Sequence, residues 1–269
     1  MSRILRVSTV ALLLALGPLL ASCDGESPSP DVEQPAIRHD RWDRLVRTYV
    51  DENGWVDYRR LQRGGKGDFQ SYLEELAGAD LRKITDKDEE KAFWINAYNA
   101  ICVRKLLDND IPTSVPRATI FGTNIFTERT YRVAGKKRSL DDIEHVILRP
   151  RFKDNRVHAA VVCGASSCPR LRPEAYVGKR IDAQLDDECR RWINSGKTKK
   201  GERKNSLDRR ASVFYASKIF DWYEEDFEDS AEGILRFIAK YLDEGDREFL
   251  KKNRVRLEFL SYDWSLNKV

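Results

Sequence analysis

The alternation of apolar and polar positions changes rhythm several times along this chain of 269 residues. Helical spacing runs from Arg41 to Val50, from Phe69 to Ala77 and, more strongly, from Asp88 to Leu107. Gly54-Trp55-Val56-Asp57-Tyr58 marks a turn followed by a short extended piece. Ser139-Leu140-Asp141-Asp142 has the capping-box pattern and opens a helix that Pro150 must end. Arg156 to Cys163 is β-branched and apolar, which predicts a buried strand. Ile181 to Ile193 is amphipathic, and Ser230 can cap a helix running to Leu242. Val255, Leu257 and Phe259 alternate with Arg256 and Glu258, the pattern of a half-buried strand. Helices and a few strands in irregular order predict an α+β fold. The expectation is a single mixed domain over residues 38–269, helix-rich with a small central β-sheet.

The first residues read as an address. Arg3 and Arg6 precede the apolar run Val10 to Leu20, which is too short to span a bilayer as a mature helix. The run closes on Leu20-Ala21-Ser22-Cys23, which resembles a bacterial lipoprotein box. Residues 1–22 are thus expected to be a signal peptide, with Cys23 lipidated through a thioether and becoming the first mature residue. Residues 23–37 are polar and proline-rich and read as a disordered tether. The partner implied is the lipid bilayer, and the place an exported, membrane-anchored one, periplasmic or surface-facing. Asp24 looks like an inner-membrane retention signal.

Composition narrows the choices further. Hydrophobic residues make up 41% and charged residues 34% of the chain, enough apolar material for a real core. Lys and Arg number 48 against 44 Asp and Glu, a net charge of +4. So small an excess makes no electrostatic case for nucleic acid. The most basic run, Lys197 to Asn205, has no interleaved aromatics and reads as a solvated loop.

Polar residues in apolar surroundings single out candidate chemistry. Phe93 to Ile101 is apolar nearly all round, so its helix is buried, yet it carries Asn96 and Asn99 three apart on one face. Buried amides must be hydrogen-bonded, either to pin a neighbouring loop or to orient a catalytic group. On the capped helix Ile143 and Ile147 face the core, with Glu144 and His145 on flanking positions. A strand from Val157 to Cys163 would place His158 and Cys163 on opposite faces. His145 is then the better partner for Cys163, and His39 is left in a poorly structured N-terminal part. Beyond Cys163, the small residues Gly164 to Ser167 can form an anion-binding nest, and Ser167, Arg170 and Arg172 are suited to an anionic ligand.

Several of these phrases resemble domain-of-unknown-function family 547. They are Phe93 to Ala100, Ile143 to Arg149 and Val162 to Tyr176, joined by Trp55 to Tyr58, Ile219 to Phe227 and Tyr262 to Asn267. The resemblance covers nearly all of the mature chain in order and implies an exported location rather than a particular reaction.

The cysteines frame three alternatives. In a thiol enzyme, Cys163 is the nucleophile and His145 the base, with Glu144, Asn96 or Asn99 orienting it. The Gly164 to Ser167 amides then stabilise an oxyanion, and the reaction is acyl transfer or hydrolysis. In a non-catalytic binding module, Cys163 and Cys168 form a disulfide while Arg170 and Arg172 clasp an anion. In a metal site, Cys163, Cys168, His145 and His158 supply the ligands, but the spacing does not support it. Cys102 reads as an inert core filler and Cys189 as free or paired. No cofactor is implied.

Overall fold

The long apolar helix organises everything else. In the computed structural model, which describes residues 37–115, 119–120, 123–195 and 205–269, helix α4 (Lys87–Asp108) is buried on all sides from Glu90 to Val103. Asp86 starts it by accepting hydrogen bonds from the Asp88 and Glu89 amides. Before it come α1 (Asp40–Tyr49), α2 (Tyr58–Gly64) and α3 (Lys66–Gly78), with Asp57 capping α2 through the Arg60 amide. His39 belongs to this packed region rather than to a loose N-terminal part. It is buried, its Nδ1 lies 2.7 Å from the Tyr72 hydroxyl, and burial lowers its pKa to about 4.

Two small hairpins follow α4: β1 (Thr119–Ile120) with β2 (Thr123–Asn124), and β3 (Tyr131–Val133) with β4 (Lys136–Arg138). The capping box then forms reciprocally. The Asp142 amide donates to Ser139 Oγ and the Ser139 amide donates to the Asp142 carboxylate, each at 2.9 Å. The next turns are a π-helix, Asp142–Leu148, running directly into α5 (Arg149–Phe152). Pro150 therefore does not end the helix. In the wide turn the Arg149 amide reaches back to the Glu144 carbonyl, and Pro150 sits at the start of an α segment, where no N–H is needed. Lys153, in the left-handed region at φ 51°, makes the stop.

The predicted strand at 156–163 is absent. Asn155–Ala159 is a 3-10 turn capped by Asp154, and the chain continues through Val162 without a ladder. Residues 157–162 are buried as expected, but their backbone groups bond within the turn or to the Asn99 side chain instead of a neighbouring strand. The sheet is built further on. After α6 (Ile181–Ile193), β5 (Ser206–Asp208) pairs antiparallel with β6 (Val213–Ala216). Helices α7 (Lys218–Trp222), α8 (Ala231–Tyr241) and α9 (Glu244–Lys252) then lead to β7 (Arg256–Phe259), parallel to β6. Ser230 caps α8 through the Gly233 amide, and Leu257 and Phe259 turn inward from β7 as their alternation predicts.

The fold is α+β, and its apolar residues gather in two clusters. One surrounds α4; the other joins α6, α7, α8 and β6. Among the described residues no helix is long and apolar enough to cross a membrane. The expected signal segment, Cys23, Asp24, the expected tether up to residue 36 and the basic run before Asn205 lie outside the described residues.

Candidate functional site

Asn99 sets the course of the chain into the site. Its amide nitrogen donates to the Ala160 carbonyl and its oxygen accepts from the Val162 amide, both at 2.9 Å. One side chain thus supplies both the donor and the acceptor that a paired strand would. Asn96 does the same for Tyr176, at 2.7 Å to its carbonyl and 2.9 Å from its amide. Both asparagines pin loops, and Asn99 pins the one that delivers Cys163. Directly after it the chain turns sharply at Gly164, with φ +86°, where a Cβ would stand 2.6 Å from Leu106 Cδ1.

The loop beyond is fastened to residues 263–267 rather than left open. The Ser166 amide donates to the Ser265 carbonyl at 2.7 Å and the Ser167 amide to the Asp263 carbonyl at 3.2 Å. Ser167 Oγ accepts from the Asp263 amide at 2.8 Å. The expected anion nest at 164–167 is corrected accordingly: the amides of 166 and 167 already serve carbonyls. Ser167 braces this segment.

Cys163 faces a cavity of about 300 Å³ that also receives Cys168, His145, His158 and Glu144. The cavity opens where the two apolar clusters meet, with Tyr98 from one and Ile219 from the other on its wall. Cys163 and Cys168 are free thiols, not a disulfide, with sulfurs 3.3 Å apart in a hydrogen bond. The Tyr262 hydroxyl lies 3.4 Å from Cys163 Sγ. The hydrogen bond between the two thiols, in which Cys168 can donate to a Cys163 thiolate, draws the Cys163 pKa below the ordinary thiol value. Burial opposes that shift, while the Tyr262 hydroxyl and the Ala165 amide assist it. Burial pushes the Cys168 thiol the other way, so Cys163 is the one that ionises first. Cys102 and Cys189 are buried free thiols, and burial raises both.

The absent strand changes the histidine argument. Without alternation to separate them, His158 and Cys163 line one cavity. His158 Nε2 is 2.7 Å from Asp226 Oδ2, and the same oxygen takes Arg149 Nε at 2.6 Å. Burial resists ionisation of Asp226, but the hydrogen bonds from His158 and Arg149 win and hold its carboxyl well below the usual range. His145 Nδ1 lies 3.0 Å from Arg149 Nη1. A carboxylate only accepts and a guanidinium only donates, so His158 carries its proton on Nε2 and His145 keeps a lone pair on Nδ1. Tyr223 lies between the imidazoles, 4.4 Å from the His158 ring and 5.9 Å from His145. Its hydroxyl bonds Glu144, and burial pushes its pKa up. Glu144 therefore engages Tyr223 rather than the adjacent His145.

Arg170 and Arg172 turn away from this chemistry. Arg170 forks onto Glu188 at 2.7 and 2.9 Å, and Arg172 reaches Asp187 at 2.7 Å and Glu188 at 2.6 Å, with Glu174 beside it. The expected clasp on an anionic ligand is corrected: protein carboxylates already occupy these guanidiniums. Among the described residues no group of three or more His, Cys, Asp or Glu is placed to hold a metal ion.

Sequence reasoning missed Asp141, Trp222, Tyr223, Asp226, Tyr262 and Trp264. For all but Asp141, which sits inside the capping box, the signal was present as aromatic and acidic density in 219–227 and 262–264, with no periodicity to say which side chains meet.

No curated protein and no solved structure matches this chain. The phrases at 93–100, 143–149 and 162–176 fall inside a stretch, residues 81–193, that matches a family model, while those at 55–58, 219–227 and 262–267 fall outside it. Residues 81–193, which hold α4, both asparagines, His145, His158 and the two cavity thiols, match the family described as "Protein of unknown function, DUF547".

Proposed function

We propose that the cavity is a thiol-dependent acyl-transfer or hydrolytic site with Cys163 as nucleophile. The observation that carries this reading is the convergence of the Cys168 thiol, the Tyr262 hydroxyl and the Ala165 amide on the Cys163 sulfur, at the wall of a cavity holding two imidazoles. Three donors favour the thiolate, which is the reactive form. The thiolate attacks a substrate carbonyl carbon, forming a C–S bond. The leaving amine or alkoxide departs with a proton as its C–N or C–O bond breaks. Water or a second acceptor then releases the acyl group and restores the thiol.

The two imidazoles take different parts. His158, fixed by Asp226 at Nε2, presents Nδ1 as the lone pair that moves the proton. His145, whose Nδ1 faces Arg149, keeps its proton on Nε2 and acts as a donor to developing oxyanion charge. The base thus passes from His145 to His158. Glu144 and Asn99 are positioning residues, the first through Tyr223 and the second through the loop before Cys163.

Iodoacetamide at neutral pH is expected to label Cys163 well ahead of Cys102, Cys168 and Cys189, as read by peptide mass mapping. Cys168→Ala, which removes the main donor, should move the pH midpoint of labelling upward. Equal labelling of all the thiols, or a midpoint unmoved by Cys168→Ala, would overturn the nucleophile assignment.

The same protein is proposed to be an exported lipoprotein held at a bacterial membrane through Cys23. The Leu20-Ala21-Ser22-Cys23 box after a short apolar run supports this reading. Cys23→Ser should shift the protein from the membrane to the soluble fraction. An unchanged distribution would exclude a lipid anchor at that residue.

A further inference from the structure

The charge of the cavity has a sign opposite to the one the arginine-rich loop suggests. Among the described residues its lining holds the carboxylates of Asp141 and Glu144 and no lysine or arginine. Cations in the neighbourhood are already answered. Arg149 pairs with Glu225 and Asp226 and lies over the Tyr223 ring, 4.9 Å from its centroid. Lys105, whose charge acts on Asp141, donates to the carbonyls of Ile125 and Glu128 at 2.7 and 2.6 Å. Asp141 is different. Among the described residues no hydrogen bond or ion pair reaches its carboxylate; burial pushes its pKa up, and the charges that act on it, His145 first, do so at longer range.

A second feature is independent of charge. Trp222, Tyr262 and Trp264 form one aromatic wall, with ring centroids 4.8, 5.6 and 4.6 Å apart in their three pairings. Trp222 remains 44% exposed, one of few large apolar side chains left open to solvent among the described residues. Indole faces are the best aromatic partners for an organic cation, and a desolvated cation in such a site gains from both the ring quadrupoles and a nearby carboxylate. An anionic group would meet two carboxylates with no cation in return among the described lining residues. A neutral group would leave Asp141 partly buried beside it without a partner.

We propose that the site takes a substrate bearing an organic ammonium group, seated between the Trp222–Tyr262–Trp264 wall and the carboxylates of Asp141 and Glu144. This deepens the thiol-site reading and rests on it for placing a carbonyl near Cys163. The substrate class is an amide or ester with a cationic side chain or amine portion. The cation selects and positions, and the thiol reacts.

The test separates the two claims by using the full chain carrying Cys163→Ser, in which binding is read without chemistry. Hexylammonium, hexanol and hexanoate are titrated in turn, followed by calorimetry and tryptophan fluorescence. Hexylammonium is expected to bind roughly tenfold tighter than hexanol, with hexanoate weakest. Asp141→Asn should erase the preference for the ammonium while hexanol binding persists, which also shows that the variant is folded. Trp222→Leu, at an exposed position, should weaken hexylammonium several-fold. Equal binding of hexylammonium and hexanol, tighter binding of hexanoate, no binding of any probe, or an ammonium preference untouched by both variants would each overturn the proposal. Failure of selective Cys163 labelling would instead remove the thiol reading and leave the ligand preference standing.

Discussion

Arg170 and Arg172 follow Cys163 and Cys168 by a few residues, yet the two groups end in opposite circumstances. Around the arginines, Glu174, Asp187 and Glu188 accept hydrogen bonds from the guanidiniums, and the Glu188 side chain is only 1% exposed. Around the thiols, Asp141, His145, His158 and Cys163 border open space. Charges that answer one another inside a protein hold elements together: this cluster clamps the loop after Cys168 to α6. Polar groups that converge on a void have no structural reason to be there, and that is what marks the cavity as the place for chemistry.

If that contrast is right, perturbing the two regions should give different readouts. Glu188→Ala strikes the first. Removing one member of a buried ion-pair network costs about 3–5 kcal/mol, and the value here should fall near 3, because Asp187 and Glu174 still face the arginines. Denaturant unfolding measures it, while selective Cys163 labelling of the folded protein should survive. Loss of that selectivity in a fully folded variant would break the separation.

Asn99→Ala tests the residue that serves both architecture and site. It strands the Ala160 carbonyl and the Val162 amide, for a destabilisation of about 2–3 kcal/mol. Because the same loop delivers Cys163, its labelling rate at neutral pH should fall as well. A stability loss with unchanged labelling would show that the loop keeps its course without the asparagine.

The smallest effect concerns acid. Burial opposes ionisation of Glu174, but the hydrogen bonds from Arg172 and Gln184 prevail and hold its pKa to about 2. A depressed carboxyl contributes its full stability above its ordinary value near 4.5 and loses it as the pH falls from there toward 2. Solvent reaches this part-exposed group, so the contribution is screened to about 1 kcal/mol. Glu174→Gln should flatten the acid limb of the stability profile by that amount. An unchanged limb would assign the acid sensitivity to other carboxyls, Asp226 among them.

Much of the helical frame was legible in the sequence. The boundaries of α1, α4, α6 and α8, and the existence of α3 though it starts at Lys66 rather than Phe69, follow from apolar spacing and from caps such as Ser230, because a helix satisfies its own backbone and needs only a face to bury. The all-round burial of α4, and the pinning by Asn96 and Asn99, follow from the cost of a lone amide in an apolar helix. The 156–163 segment did not yield to the same reasoning. Its apolar run reads alike for a strand and for an irregular buried stretch, and only the Asn99 side chain decides between them. The error then spread, since strand parity separated His158 from Cys163. Pro150 misled for a similar reason: a π turn before it leaves room for the ring.

Local pattern alone was enough to determine an α+β, helix-rich chain with a thiol beside small residues, histidines in two separate phrases and a candidate lipid-anchor box. Hydrophobic spacing and capping act over a few residues, so they can be read from a few residues. Which imidazole meets a carboxylate, which arginines are neutralised, and where aromatic rings from 222 and 264 join a cysteine at 163 depend on contacts across tens to about a hundred positions. No local periodicity encodes such contacts. They come from the packing of two apolar clusters, and the cavity exists only at the seam between them.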